Sequence, residues 1–272
     1  MTVGVLLAAM WSGNGSHAVG QTVVEDWQPA DGYLRIGPEP DRRIVMAETG
    51  YSLLVPEDPA VGVITFLDSR RYPGWGSPAD GSFDAESLER DMAVLHITTG
   101  NPLDFLFEKS DLRTLATRIE RVLNENGLRG LPIHFAGLSL GGTRALRLLV
   151  FLEQEGGEYY LRTGAVALVD APLDMERLWR SEGHAISRDV HAAAADEGRW
   201  VQYLLESHLG GPPDQAKDRY VIYSPYTYGA PGSSRRTLHE KDLRPEPAPT
   251  RGRSSMTRTS WSGFSWCRWT EE

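Results

Sequence analysis

The stretch from Leu131 to Leu149 constrains this chain more than any other. An apolar run, Leu131-Pro132-Ile133-His134-Phe135-Ala136, leads into Gly137-Leu138-Ser139-Leu140-Gly141-Gly142. Thr143-Arg144-Ala145-Leu146-Arg147-Leu148-Leu149 then continues with helical spacing. A strand must therefore turn sharply into a helix around Ser139. Glycine suits positions 137 and 141, where a side chain would crowd the adjoining strand and helix. A turn of this kind lifts the hydroxyl above the carboxyl end of the strand. The first N–H groups of the helix, and the positive end of its dipole, point to the same place.

That arrangement suits attack by Ser139 on an ester, thioester or amide carbonyl. The N–H of Leu140 faces a developing oxyanion. A second donor is expected from the loop after the apolar strand Val61–Leu67, from the backbone N–H of Ser69 or Arg70. Arg70 and Arg71 could also hold an anionic substrate group, although arginines in such loops are more often simply solvated. Asn101 and Asp104, in the next loop, are candidate substrate contacts. Their plainer role is turn-making around Pro102. The plainer role of Ser139 itself is to cap the helix that follows it.

A serine hydroxyl needs a base, normally a histidine oriented by a carboxylate. Asp170 ends the strand Val166–Asp170 and is the candidate acid, with Asp174 competing. The histidines after Ser139 are His184, His191, His208 and His239. The first three fall in helical sequence and read as surface or packing residues. His239 is the candidate base, although no recognisable strand precedes it.

Around the turn, apolar strands alternate with amphipathic helices. Arg43–Val55 reads as strand with a bend at Thr49-Gly50, forming an antiparallel hairpin at one edge. Val61–Leu67 reads as a central strand, residues 84–90 as a short helix and Met92–Ile97 as another strand. Ser110 is placed to cap a helix from Asp111 to about Asn126, with Leu112, Leu115, Ile119, Val122 and Leu123 on one face. This alternation predicts an α/β fold with a mostly parallel sheet covered on both faces. Helices over residues 174–182 and 192–208 follow, broken by Gly210-Gly211-Pro212-Pro213. Trp179, Trp200, Tyr220, Tyr223, Tyr226 and Tyr228 make this segment aromatic. Its aromatic rings could line an apolar pocket or pack a lid onto the core.

The expected organisation is a leader or disordered stretch over 1–30, a core over 31–171, a helical lid-like segment over 172–231, and an irregular tail over 232–272. That tail holds seven Arg and one Lys against three acidic residues before Glu271-Glu272, in a chain of net charge -9. Its lack of periodicity reads as disorder or as sequence out of frame. Val3–Trp11 is apolar and is followed by small residues, as in an export signal, but it lacks a basic start. The location expected is cytoplasmic, or periplasmic or secreted if that signal acts.

Several classes are disfavoured. A net charge of -9 argues against a nucleic-acid partner. No apolar stretch approaches the length of a bilayer span. The single cysteine, Cys267, cannot form a disulfide within the chain. Neither an H-E-x-x-H motif nor a phosphate loop is present, so no metal or cofactor is expected.

Three segments together resemble a family: Thr99–Phe105, Gly137–Arg144 and Val169–Asp174. They are similar to bacterial α/β-hydrolases of the serine esterase kind, over residues 43 to 228. The resemblance implies two further strands after the lid, carrying the acid and the histidine. The sequence from Gly232 departs from that pattern. It therefore leaves open a serine hydrolase acting on a small-molecule ester, a truncated or inactive form, or a small-molecule binding protein.

Overall fold

The computed structural model describes residues 21–71, 82–155, 157–189 and 191–227, with the backbone strands 4–6 and 265–267. The main sheet has eight strands. They are β1 (Gly4–Leu6), β2 (Gln21–Gln28), β5 (Thr49–Pro56), β6 (Gly62–Asp68), β7 (Met92–Thr99), β8 (Pro132–Leu138), β9 (Arg162–Val169) and β10 (Ser265–Cys267). Their order is β1-β2-β5-β7-β6-β8-β9-β10. The four central strands, β7, β6, β8 and β9, run parallel. β2 and β5 join antiparallel on one side. β3 (Tyr33–Arg35) and β4 (Arg43–Val45) form a separate two-stranded ribbon.

Arg43–Val55 does not form the expected hairpin. Residues 43–45 pair with β3, whereas β5 pairs with β2 and β7. Thr49-Gly50 is not a bend but the first part of β5, opposite Thr99 and Thr98. A Cβ on Gly50 would lie 2.4 Å from the Trp27 ring, so the glycine admits that ring rather than a turn. β2 lies inside the stretch read as a leader. Its sequence, Gln-Thr-Val-Val-Glu-Asp-Trp-Gln, mixes charge with apolar residues and gives little strand signal.

β7 is buried along most of its length, as its apolar run requires of a central strand. α2 (Lys109–Glu125) buries Leu112, Leu115, Ala116, Ile119, Val122 and Leu123 on one face. α3 (Leu140–Gln154) buries Leu146, Leu148 and Leu149. The main core lies between these helices and the sheet. Each fully buried leucine there contributes about 1.5–3 kcal/mol from area removed from water. Ser110 does not cap α2; Glu108 occupies that position and makes no side-chain cap bond. α1 (Phe83–Leu88) is capped by Ser82 and lies with Leu88 against Leu54 and Val94.

After β9 the chain is helical, through α4 (Met175–Arg188), α5 (Ala192–Leu209) and α6 (Pro213–Tyr223). Residues 210–213 do end α5, but the prolines also start α6. Proline is tolerated at a first helical turn because no N–H is required there. Tyr220 is fully buried against Phe105 and Phe107, with Trp179, Trp200 and Tyr223 packed around them. These rings thus join the helices to the core. Tyr228 lies outside the described residues.

Candidate functional site

Ser139 stands between β8 and α3 with φ 52° and ψ -127°. This is a region that residues bearing a Cβ rarely occupy. Close packing forces it. A Cβ on Gly137 would come within 2.4 Å of the Gly141 carbonyl carbon and the Gly142 nitrogen, and one on Gly142 within 2.7 Å of Ala171 Cβ. A Cβ on Gly141 would lie 3.0 Å from the Leu67 carbonyl oxygen. The turn is thereby pressed against the end of β6 and the start of the Ser69 loop.

Ser139 is exposed, and its side chain makes no cap bond to α3. Its carbonyl accepts from Gly142 N–H at 3.0 Å and Thr143 N–H at 3.3 Å. Its own N–H donates to the Val169 carbonyl at 2.8 Å. Among the described residues no backbone acceptor takes the N–H of Leu140. A hydroxyl and a helix-start amide therefore share one exposed corner.

Asp170 follows Val169 directly, so it lies beside the Ser139 backbone. It is exposed, with φ 49°. Among the described residues its carboxylate has no hydrogen bond or ion pair. Asp174 is nearly buried and caps α4, accepting from Arg177 N–H at 3.0 Å. His239 lies outside the described residues. Among those described, no hydrogen bond joins the Ser139 hydroxyl to a histidine.

Arg144 organises the neighbouring loops, a role the sequence did not reveal. Its side chain is fully buried. Nη1 donates to Ser69 Oγ at 3.0 Å, and Nε to the Asp104 carbonyl at 2.6 Å. Nη2 donates to the carbonyls of Asn101 and Pro102 at 3.2 and 3.1 Å. The side chains of the two candidate substrate contacts are engaged in turns. Asn101 Oδ1 accepts from Leu103 N–H and Asp104 Oδ1 from Leu106 N–H.

Asn101 and Asp104 also line a cavity of about 330 Å³ with Thr98, Phe105, Asp111 and His208. Ser139 does not line it. Burial, with the charges of Asp104 and Glu108, pushes the Asp111 carboxyl above its ordinary pKa.

Arg70 is exposed on the Ser69 loop. Arg71 donates to Glu25 Oε2 at 3.0 Å and lies over the Trp27 ring. His96, on β7, is buried beneath this loop. Its Nδ1 lies 3.0 Å from Asp68 Oδ2, and its Nε2 3.0 Å from Asp84 Oδ2. Burial opposes its charge, but the two carboxylates outweigh that effect and raise the pKa to about 9. The partners lie 28 and 12 residues away, so no local motif announces them.

Arg147, one turn beyond Arg144, donates to the Leu106 carbonyl at 2.8 Å and to the Tyr223 carbonyl. Burial lowers its pKa to about 10. It fastens α6 to the loop before α2. Among the described residues no helix is long and apolar enough to cross a membrane. Nor does any group of three or more His, Cys, Asp or Glu side chains among them form a metal site.

No family model matches the chain. No curated protein matches it. Several solved structures are similar. A lipase A from Candida antarctica in its closed state is 9% identical, with 60% of this chain and 40% of that chain covered and a TM-score of 0.39. A rice cell wall degrading esterase, LipA from Xanthomonas oryzae, is 13% identical, with 67% and 53% covered and a TM-score of 0.43. A puromycin hydrolase is 20% identical, with 75% and 29% covered and a TM-score of 0.41. The chain thus spans about half or less of the length of each. Likeness at this level leaves strand order and local geometry to identify the fold. A parallel β7-β6-β8-β9 centre, antiparallel strands beside it and a strained serine turn after β8 make this an α/β-hydrolase-like fold.

Proposed function

We propose that the protein is a serine hydrolase that cleaves a small-molecule carboxylic ester by acyl transfer through Ser139. One observation carries this reading: Ser139 is exposed, held at positive φ, and does not cap its helix. A serine serving only as a cap would turn its oxygen onto the amides of the first helical turn.

In this reading Ser139 Oγ attacks the ester carbonyl and its proton passes to a base. The N–H of Leu140 and an N–H of the Ser69–Arg70 loop stabilise the oxyanion. The alcohol leaves with that proton, and water then releases the acid from Ser139. His239 is the proposed base, as the one histidine that follows α6. Asp170 is the proposed carboxylate, because it sits beside the Ser139 backbone. Asn101 and Asp104 shape the adjoining loop and are the proposed substrate contacts. An ester suits the site better than an amide. Its alkoxide leaves with less acid assistance than an amine.

The cavity beside Asn101 and Asp104, which Ser139 does not line, favours a second reading, a hydrolase-fold protein that binds a ligand without turnover. A fluorophosphonate probe with intact-mass analysis separates the two. One adduct, lost in Ser139→Ala, is expected of the enzyme. No adduct at neutral pH would exclude it and leave the binding protein.

A further inference from the structure

We propose that His96 is a positioning residue, which fixes through Asp68 the start of the loop that presents the Ser69 N–H. The inference rests on the reading of Ser139 and that loop as a hydrolytic site.

Asp68 is the last residue of β6 and Ser69 is the next in the chain. Asp84 lies in the first turn of α1. His96 reaches both, so one imidazole ties together the two ends of segment 69–83. Its ring is held in place. It stacks on Phe66 with centroids 4.8 Å apart and planes 10° apart, and Phe83 meets Phe66 edge-on. Only 7% of His96 is exposed. With both carboxyls ionised, each ring nitrogen must carry a hydrogen, which makes the ring a cation.

The other polar groups on this side continue the restraint. Ser52 of β5 pairs opposite His96 and donates to Glu25 of β2, which also accepts from Arg71. Asp68, Asp84 and the Glu25–Arg71 pair are charges near His96 supplied by β6, α1, β2 and the Ser69 loop. From the other face, Arg144 holds Ser69. The loop is clamped at residues 68, 69 and 71. An oxyanion donor works only within a fraction of an ångström of its place. A support of this kind therefore alters turnover more than substrate binding.

The test compares wild type with His96→Phe, which keeps the stacking and removes both hydrogen bonds, and with His96→Gln, which keeps a donor. Turnover of p-nitrophenyl acetate, fluorophosphonate labelling and amide exchange at residues 69–71 are measured. In His96→Phe, kcat should fall about 10- to 100-fold with KM within about twofold of wild type, and Gln should restore part of the loss. Exchange at 69–71 should quicken while α3 stays protected. A folded His96→Phe with unchanged kcat and unchanged exchange would overturn the proposal, as would equal loss of protection everywhere. If His96→Phe does not fold, Asp84→Ala gives the same comparison. If wild type takes no label at Ser139, the hydrolase reading fails, and exchange at 69–71 alone decides whether His96 fixes the loop.

Discussion

Arg144 Nη1 donates to Ser69 Oγ at 3.0 Å, across 75 residues of sequence. The helix that begins just after Ser139 therefore carries the side chain that holds the opposing loop. Arg144→Met should lower stability by roughly 3–5 kcal/mol, since the carbonyls of Asn101, Pro102 and Asp104 would lose a buried donor. Arg144→Lys should recover only a minor part, because an ammonium lacks the planar fork that reaches four acceptors. Urea unfolding of both variants checks this, and a loss below about 1 kcal/mol in Arg144→Met would refute it.

The backbone at Ser139 stores strain that a glycine releases. Ser139→Gly should be more stable than Ser139→Ala by about 1 kcal/mol, while neither turns over ester. Gly137→Ala should cost roughly 2–4 kcal/mol, because its methyl would meet backbone atoms that cannot move aside. Thermal melts of the three proteins measure both effects. Equal melting of Ser139→Gly and Ser139→Ala would contradict the first.

His96 links stability to pH. Its pKa is about 9 in the folded chain against 6.5 ordinarily. A raised pKa means that the stabilisation is complete below about pH 6.5 and is lost as pH rises through about 9. Its size is on the order of 3 kcal/mol. Melting temperature should fall between pH 7 and about 10 in wild type, and fall less in His96→Phe. Parallel curves for the two proteins would remove His96 as the cause.

Arg147 should govern how firmly α6 is held. Arg147→Met removes the donors to Leu106 and Tyr223 while keeping much of the side chain's bulk. Proteolysis within residues 210–224 should quicken about 10-fold or more, with smaller change in the central sheet. An unchanged cleavage pattern would show that packing around Tyr220 alone retains the helix.

Features fixed by neighbouring residues were the legible ones. The turn at Gly137–Gly142 could be read because its glycines and its hydroxyl lie within six positions. The parallel centre followed from apolar runs such as that of β7. The hairpin expected over Arg43–Val55 does not form, because the glycine at position 50 makes room for Trp27 although glycine equally signals a bend. α6 is not legible in the sequence because Pro212-Pro213 signals a break equally well as a helix start. The clamps by Arg144 and His96 were not legible, since each joins residues from separate strands and loops. A buried arginine also looks, in sequence alone, like any arginine on a helix.

The bond from Arg71 to Glu25 has a practical corollary. Glu25 belongs to β2, which stands four strand positions from the serine-bearing β8. A shortened version starting after Gln28 would keep the parallel centre but release one anchor of the Ser69–Arg71 loop. On the hydrolase reading, rate would then depend on the sheet's periphery, and engineers trimming that end would lose rate before they lost the domain.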